Sequence, residues 1–174
     1  MNVNYAKALI EVAFEKIFAP QHWADLGCGG GTFTHALAFC LRPESIIDAI
    51  DKQMPLINSV NDVHIHCAKA DMQTIILPQN EFDGIMMANS FHFIRDKKSL
   101  IQRLKPFLKP AGGFLVIEYD IDQSNPWVPF PVSYQSLFTL FNNNGFNIIK
   151  KVGETNSAYG VRKIYAALIN KGSP

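Results

Sequence analysis

The chain contains no run of eighteen consecutive apolar residues, so no segment is expected to cross a bilayer as a helix. It also lacks an excess of either charge. Sixteen Lys and Arg against fifteen Asp and Glu leave a formal net charge of +1. That balance makes no electrostatic case for nucleic acid, an anionic membrane or a polyanionic partner. The short groups Lys97–Lys98 and Lys150–Lys151 read as solvated surface lysines. Cysteine is scarce: Cys28, Cys40 and Cys67 are odd in number, and no pair has zinc-site spacing. No metal is therefore expected, and reduced thiols in a cytoplasmic protein are the simplest account. The first twenty residues are interrupted by Glu11 and Glu15 and carry no small-residue cleavage site, so a signal peptide is not expected. Internal repeats, low-complexity tracts and linkers are missing too. What remains is 174 residues of ordinary globular composition, 48% hydrophobic and 18% charged. A single domain spanning 1–174 is expected, with 1–19 as an N-terminal helix packed on one core.

Ala6, Leu9, Ile10, Ala13 and Ile17 recur at helical spacing before Pro20. Residues 22–26 form a short, mostly apolar run that reads as a buried strand, and 32–41 as the helix that follows. Residues 45–51 read as a second strand, 53–60 as a short helix and 63–71 as a third strand. Residues 82–89 are nearly continuous in apolar residues, as in a strand covered on both faces. A helix is predicted over 97–108, stopped by Pro110-Ala111-Gly112-Gly113, with a fifth strand over 114–120. Residues 121–132 hold three prolines and Trp127 and should be irregular. A helix over 133–143 is capped by Gly145. Residues 146–152 and 161–170 close the chain as two strands around the polar loop 153–160. Strands alternate with helices, so the sheet is α/β, doubly wound and mainly parallel. The last two strands are joined too closely for a crossover and must be antiparallel.

In such a sheet, ligands sit beyond the carboxyl ends of the strands. The first strand ends in Asp25-Leu26-Gly27-Cys28-Gly29-Gly30-Gly31-Thr32. Glycines let a ligand approach the backbone, and amides at the next helix start point at it. The loop reads G-x-G-x-G with Thr32 where the dinucleotide fingerprint wants its last glycine. By itself it could be a plain strand-to-helix turn. Asp51 ends the second strand, where its carboxylate could accept from both hydroxyls of a ribose or cap a helix. Asp71 ends the third, where it could meet an adenine amine or, again, cap a helix. Three successive strands ending in polar groups at one edge are hard to explain by caps alone.

These residues resemble class I S-adenosylmethionine-dependent methyltransferases. Asp25–Gly31 looks like the family's first motif, Asp51 matches its ribose acid and Asp71 the acid near adenine. Phe82–Asn89 is similar to its fourth-strand motif, and Leu108–Gly113 to the turn before its fifth strand. The likeness runs from about residue 20 to the C-terminus. It implies a seven-stranded Rossmann-like sheet of order 3-2-1-4-5-7-6 with strand 7 antiparallel. It also implies S-adenosyl-L-methionine as cofactor, held by Asp25, Gly27, Cys28, Gly29, Gly31, Asp51, Lys52, Asp71, Met72 and Asn89. Met54 is the alternative to Met72 for packing on adenine.

Methyl transfer from a sulfonium is a displacement at an already activated carbon, so the protein mainly positions the acceptor and excludes water. A base helps only where the acceptor must lose a proton. The open edge should receive Asn89-Ser90-Phe91-His92 from strand four and Glu118-Tyr119-Asp120 from strand five. His92 is the candidate base, its alternative being a structural histidine. Glu118, Asp120 and Trp127 are candidates for acceptor binding. The fourth strand lacks the Asn-Pro-Pro-Tyr of many amine and amide methyltransferases. A small-molecule acceptor is therefore expected, in a site that a second protomer could complete as a homodimer. Two other readings stay open: a non-catalytic cofactor-binding subunit, and a nicotinamide-dependent oxidoreductase.

Overall fold

The computed structural model describes residues 2–79, 81–156 and 162–172. Seven strands form one sheet: β1 (His22–Leu26), β2 (Ile46–Asp51), β3 (His64–Lys69), β4 (Phe82–Ala88), β5 (Leu108–Tyr119), β6 (Ile148–Asn156) and β7 (Lys163–Asn170). Their order is β3-β2-β1-β4-β5-β7-β6. β7 is antiparallel to both its neighbours, and every other described pairing is parallel. The doubly wound, order-reversing sheet expected from the sequence is the one observed.

Alternation along the strands divides the core between two faces. Trp23, Ile47, Ala49, Met86, Leu115 and Ile117 pack with α1 (Val3–Ile10) and α2 (Thr32–Ala38). Ala24, Leu26, Ile50, Ile85, Met87, Phe114 and Val116 pack with α3 (Lys97–Leu104) and α4 (Tyr134–Asn142). Trp23 fits because residue 84 is glycine: a Cβ there would stand 2.3 Å from the indole ring. α1 begins at Asn2, whose side chain accepts from the Tyr5 amide, and gives way to a 3₁₀ turn over Glu11–Phe14. It is thus shorter than the periodicity to Ile17 suggested.

Four further boundaries differ from expectation. Residues 53–60 form no helix; Pro55 interrupts the segment, and Pro55 and Ile57 are buried while Leu56 between them is almost fully exposed, the alternation of extended chain. α3 stops at Leu104 and passes into a 3₁₀ turn over Lys105–Phe107, where Pro106 has no N–H to continue the helical ladder. Pro110–Gly113 is no stop: β5 runs through it from Leu108. Neither Gly112 nor Gly113 has positive φ. At 113 glycine serves close approach instead, since a Cβ would lie 2.3 Å from the Ile169 carbonyl oxygen on β7. β6 likewise extends through Gly153 to Asn156, consuming half of the expected loop; residues 157–161 lie outside the described residues.

Among the described residues, no helix follows β2 or β3 before the next strand. On β3, Ile65 is buried against the α1–α2 side, while His64, His66 and Ala68 stand exposed on the other. That open face carries a chain of titratable groups. His22 Nε2 lies 2.9 Å from Asp48 and its Nδ1 3.3 Å from Glu81; His66 Nδ1 lies 3.4 Å from Asp48.

Candidate functional site

The carboxyl ends of β1, β2 and β4, with the turn after β3, enclose a cleft of about 750 Å³. That is within the range of small-molecule sites. Its floor is the turn from β1 into α2. Gly27, Gly29 and Gly31 all have positive φ there, a conformation that side chains with a Cβ rarely adopt. At Gly27 a Cβ would also lie 2.5 Å from the Ser90 Cβ. Ser90 in turn donates its hydroxyl to the Leu26 carbonyl at 2.7 Å, tying the ends of β1 and β4 together.

Asp25 is completely buried. Its Oδ2 accepts from the Thr34 hydroxyl at 2.7 Å, and its Oδ1 has no partner among the described residues. Burial pushes its pKa up to about 7, against the pull of Thr34 and with a further rise from Asp51. A buried carboxylate with one orphan oxygen in a cleft is a ready acceptor for a cationic donor. Asn89 has a left-handed backbone (φ 52°) and a buried Oδ1 that is also unpartnered among the described residues. Cys28 lines the cleft too, but burial raises its thiol, so it is inert there.

Asp51 and Asp71 shape the far half. Asp51 Oδ2 accepts from the Gly29 amide and Oδ1 from the Gln53 amide, both at 3.0 Å, so the acid braces the glycine turn and keeps spare lone pairs. Asp71 accepts from the Gln73 amide at 2.9 Å and pairs with Lys52 at 3.2 Å. Arg103 of α3 holds this turn by donating to the carbonyls of Met72 and Ile75.

The cleft thus brings together Asp25, Gly27, Cys28, Gly29, Asp51, Lys52, Asp71, Met72 and Asn89; Gly31 stands behind the turn as the N-cap of α2. Met54 does not line it. The acceptor candidates lie elsewhere. His92 is 3% exposed. Glu118, equally buried, accepts from the His92 amide at 3.0 Å and lies 2.7 Å from its Nδ1. Asp120 caps α4 by accepting from the Tyr134 amide at 2.8 Å. Trp127 is 83% exposed on the tight turn Asn125–Val128 and does not line the cleft. Sequence reasoning missed Thr34, Ser90, Phe93 and Ile94. Thr34, a hydroxyl in the first turn after the glycines, was the one with a readable signal.

A family model described as a methyltransferase domain matches residues 24–112, just over half of the chain. The ubiquinone/menaquinone biosynthesis C-methyltransferase UbiE of Pasteurella multocida is 24% identical over 143 residues, covering 75% of this chain and 48% of its own. A malonyl-[acyl-carrier protein] O-methyltransferase of Ilyobacter polytropus is 30% identical over 103 residues, covering 56% and 39%. The chain spans about half the length, or less, of these curated relatives. Among solved structures, YcgJ of Bacillus subtilis superposes with a TM-score of 0.70 at 12% identity, covering 98% of this chain and all of that one. The Burkholderia thailandensis 1,6-didemethyltoxoflavin N1-methyltransferase, solved with S-adenosylhomocysteine, gives 0.70 at 15% identity, covering 98% and 78%. The [4+2]-cyclase SpnF gives 0.71 at 14%, covering 99% and 81%. The structural likenesses establish the fold and, as the cyclase illustrates, not the reaction.

Proposed function

The chain belongs to the class I S-adenosylmethionine-dependent methyltransferases, and on that premise we propose that its cleft binds S-adenosylmethionine and serves methyl transfer to a small-molecule acceptor. The observation that carries this reading is the orphan Asp25 Oδ1 at the base of a glycine turn. The cofactor's α-ammonium is a donor of the sign and size that a buried, unpaired carboxylate lacks. Asn89 Oδ1 is a second acceptor beside it, the Gly27–Gly31 backbone leaves room for the methionine chain, and Asp51 has lone pairs left for two ribose hydroxyls.

When bound, the cofactor supplies a methyl carbon already activated by a positive sulfur. The residues of this chain would therefore hold, orient and dehydrate, not activate. For an acceptor that must lose a proton, His92 is the proposed base. Glu118 grips both its amide and its Nδ1, fixing the tautomer and leaving Nε2 as the ring's acceptor. Glu118 then acts through His92, and Asp120 and Trp127 shape the segment between β5 and α4. The family match favours this over the nicotinamide-dependent alternative. A side-by-side calorimetric titration tests the reading: S-adenosylhomocysteine should bind at least tenfold tighter than NAD. Equal or tighter NAD binding refutes it, and binding without turnover on any acceptor would leave a cofactor-binding subunit.

A further inference from the structure

Lys97 occupies a position that simple electrostatics disfavours. It is the first residue of α3, where the helix dipole repels a cation, and the N-cap acid Asp96 beside it is bonded to the Ser99 amide and hydroxyl. It is also half-buried, and desolvation lowers its pKa to about 8 although Glu118 pulls the other way. Its contacts account for the placement. Nζ donates to the Ile94 carbonyl at 2.7 Å and to the Phe130 carbonyl at 2.6 Å. It also lies 5.3 Å above the Phe91 ring and 5.9 Å from that of Phe130. A third bond joins the same two segments, from the Phe130 amide to the His92 carbonyl at 3.0 Å.

The two segments so joined carry Phe93, which lines the cleft, and Phe130, which stands outside its lining. Phe93 lines the cleft and is 58% exposed, with its ring 4.3 Å from that of His92. Phe130 is partly exposed, and its amide bond to the His92 carbonyl sets it beside the residue that precedes Phe93. Ile94 and Ala88 continue the apolar lining inward. Lys97 itself is engaged with two carbonyls and two rings, so its charge is not presented to a ligand.

We propose that Phe93 and Phe130 form an acceptor subsite for a flat, uncharged, apolar ring, and that Lys97 is the positioning residue that braces it. Aromatic faces favour stacking with such a ring. The subsite rests on the reading of the cleft as a methyl-transfer site, and the experiment separates the two. Protein saturated with S-adenosylhomocysteine is titrated calorimetrically with 2-naphthol and with 2-naphthalenesulfonate, as wild type, Phe93→Ala, Lys97→Met and Lys97→Arg. Exchange of the Phe130 amide is followed in parallel, with the Asn89 amide, which donates to Ile117, as the core control.

The neutral probe should bind at least tenfold tighter than the sulfonate. Phe93→Ala and Lys97→Met should each weaken it fivefold or more, and in Lys97→Met S-adenosylhomocysteine affinity should stay unchanged within twofold. Lys97→Met should speed Phe130 exchange at least tenfold and leave Asn89 alone, and Lys97→Arg should restore much of that protection. The subsite is refuted if neither probe binds, or if the sulfonate binds as tightly as naphthol and loses affinity in Lys97→Met, which would make Lys97 an anion site. The brace is refuted if Phe130 exchange stays put in Lys97→Met, or if the loss spreads to Asn89. Failure of S-adenosylhomocysteine itself to bind wild type counts against the underlying reading of the cleft.

Discussion

Asp25→Asn should strengthen the free protein while weakening its ligand. The carboxyl is completely buried and its pKa stands at about 7, raised from 3.8 by burial. Between those values the folded state holds a proton that the unfolded state has released. Stability from this group is therefore greatest below pH 4 and declines as pH rises toward 7. At pH 8 the ionised carboxylate costs roughly 4 kcal/mol relative to the unfolded chain, at about 1.4 kcal/mol per pKa unit. Asparagine removes that charge and can keep the Thr34 hydrogen bond. It leaves an unpaired NH₂ in place of the orphan oxygen, at roughly 1–3 kcal/mol. The net gain is about 1–3 kcal/mol, or about 2–10 °C in Tm for a domain of this size. At pH 5, where the wild-type group is protonated in the folded state, the advantage should shrink by roughly 2–3 kcal/mol and vanish. Affinity should move the other way. An ammonium donor loses a charge-assisted bond, so S-adenosylhomocysteine should bind roughly tenfold to a hundredfold more weakly. Thermal unfolding at pH 5 and pH 8 and a calorimetric titration check both halves. A variant no more stable than wild type at pH 8, a gain that does not shrink at pH 5, or an unchanged Kd would refute the reasoning.

Asp51→Ala removes the brace on the Gly29 amide together with the ribose acceptors, and should weaken S-adenosylhomocysteine by about 2–4 kcal/mol in calorimetry while the protein stays folded. His92→Ala should lower turnover on a protonated acceptor by roughly a hundredfold to ten-thousandfold, with cofactor affinity nearly unchanged; a loss of Tm with turnover intact would make the His92–Glu118 pair purely structural. Gly84→Ala places a methyl 2.3 Å from the Trp23 indole and should cost about 1–3 kcal/mol or more in chemical denaturation, with a shift in tryptophan emission as the ring gives way.

The mainly parallel sheet and its antiparallel final pair were legible from strand spacing and the short last connection, whereas the strand order was implied only by the resemblance of the motifs to the methyltransferase family. The cleft's floor was legible because the Gly27–Gly31 run has only a few physical uses, and three of its glycines do adopt positive φ. Gly112–Gly113 misled for an instructive reason: glycine serves both turns and close approach, and only the partner strand reveals which. The expected helix over 53–60 failed because Pro55 breaks the segment and Pro55 and Ile57 bury at period two, not at helical spacing. The acceptor side was hardest to read. Which strand-end side chains turn into a cleft depends on what else competes for them. Glu118 is taken by His92 and Asp120 by the Tyr134 amide, both from segments distant in sequence. Thr34 could have been noticed as the hydroxyl nearest the buried acid.

The bare face of β3 bears on how the cleft would fluctuate. β3 sits at the sheet's edge, held by a single ladder to β2 and covered by helices on one side only. A unit with so few buried contacts opens well below the free energy of global unfolding. Asp51 and Asp71 lie at the ends of β2 and β3, so half of the cleft is carried by this softer margin, while Asp25 and Asn89 belong to the doubly covered centre. A ligand reaching from one half to the other would join two regions of unequal stability, and would lend the margin some of the centre's resistance to opening.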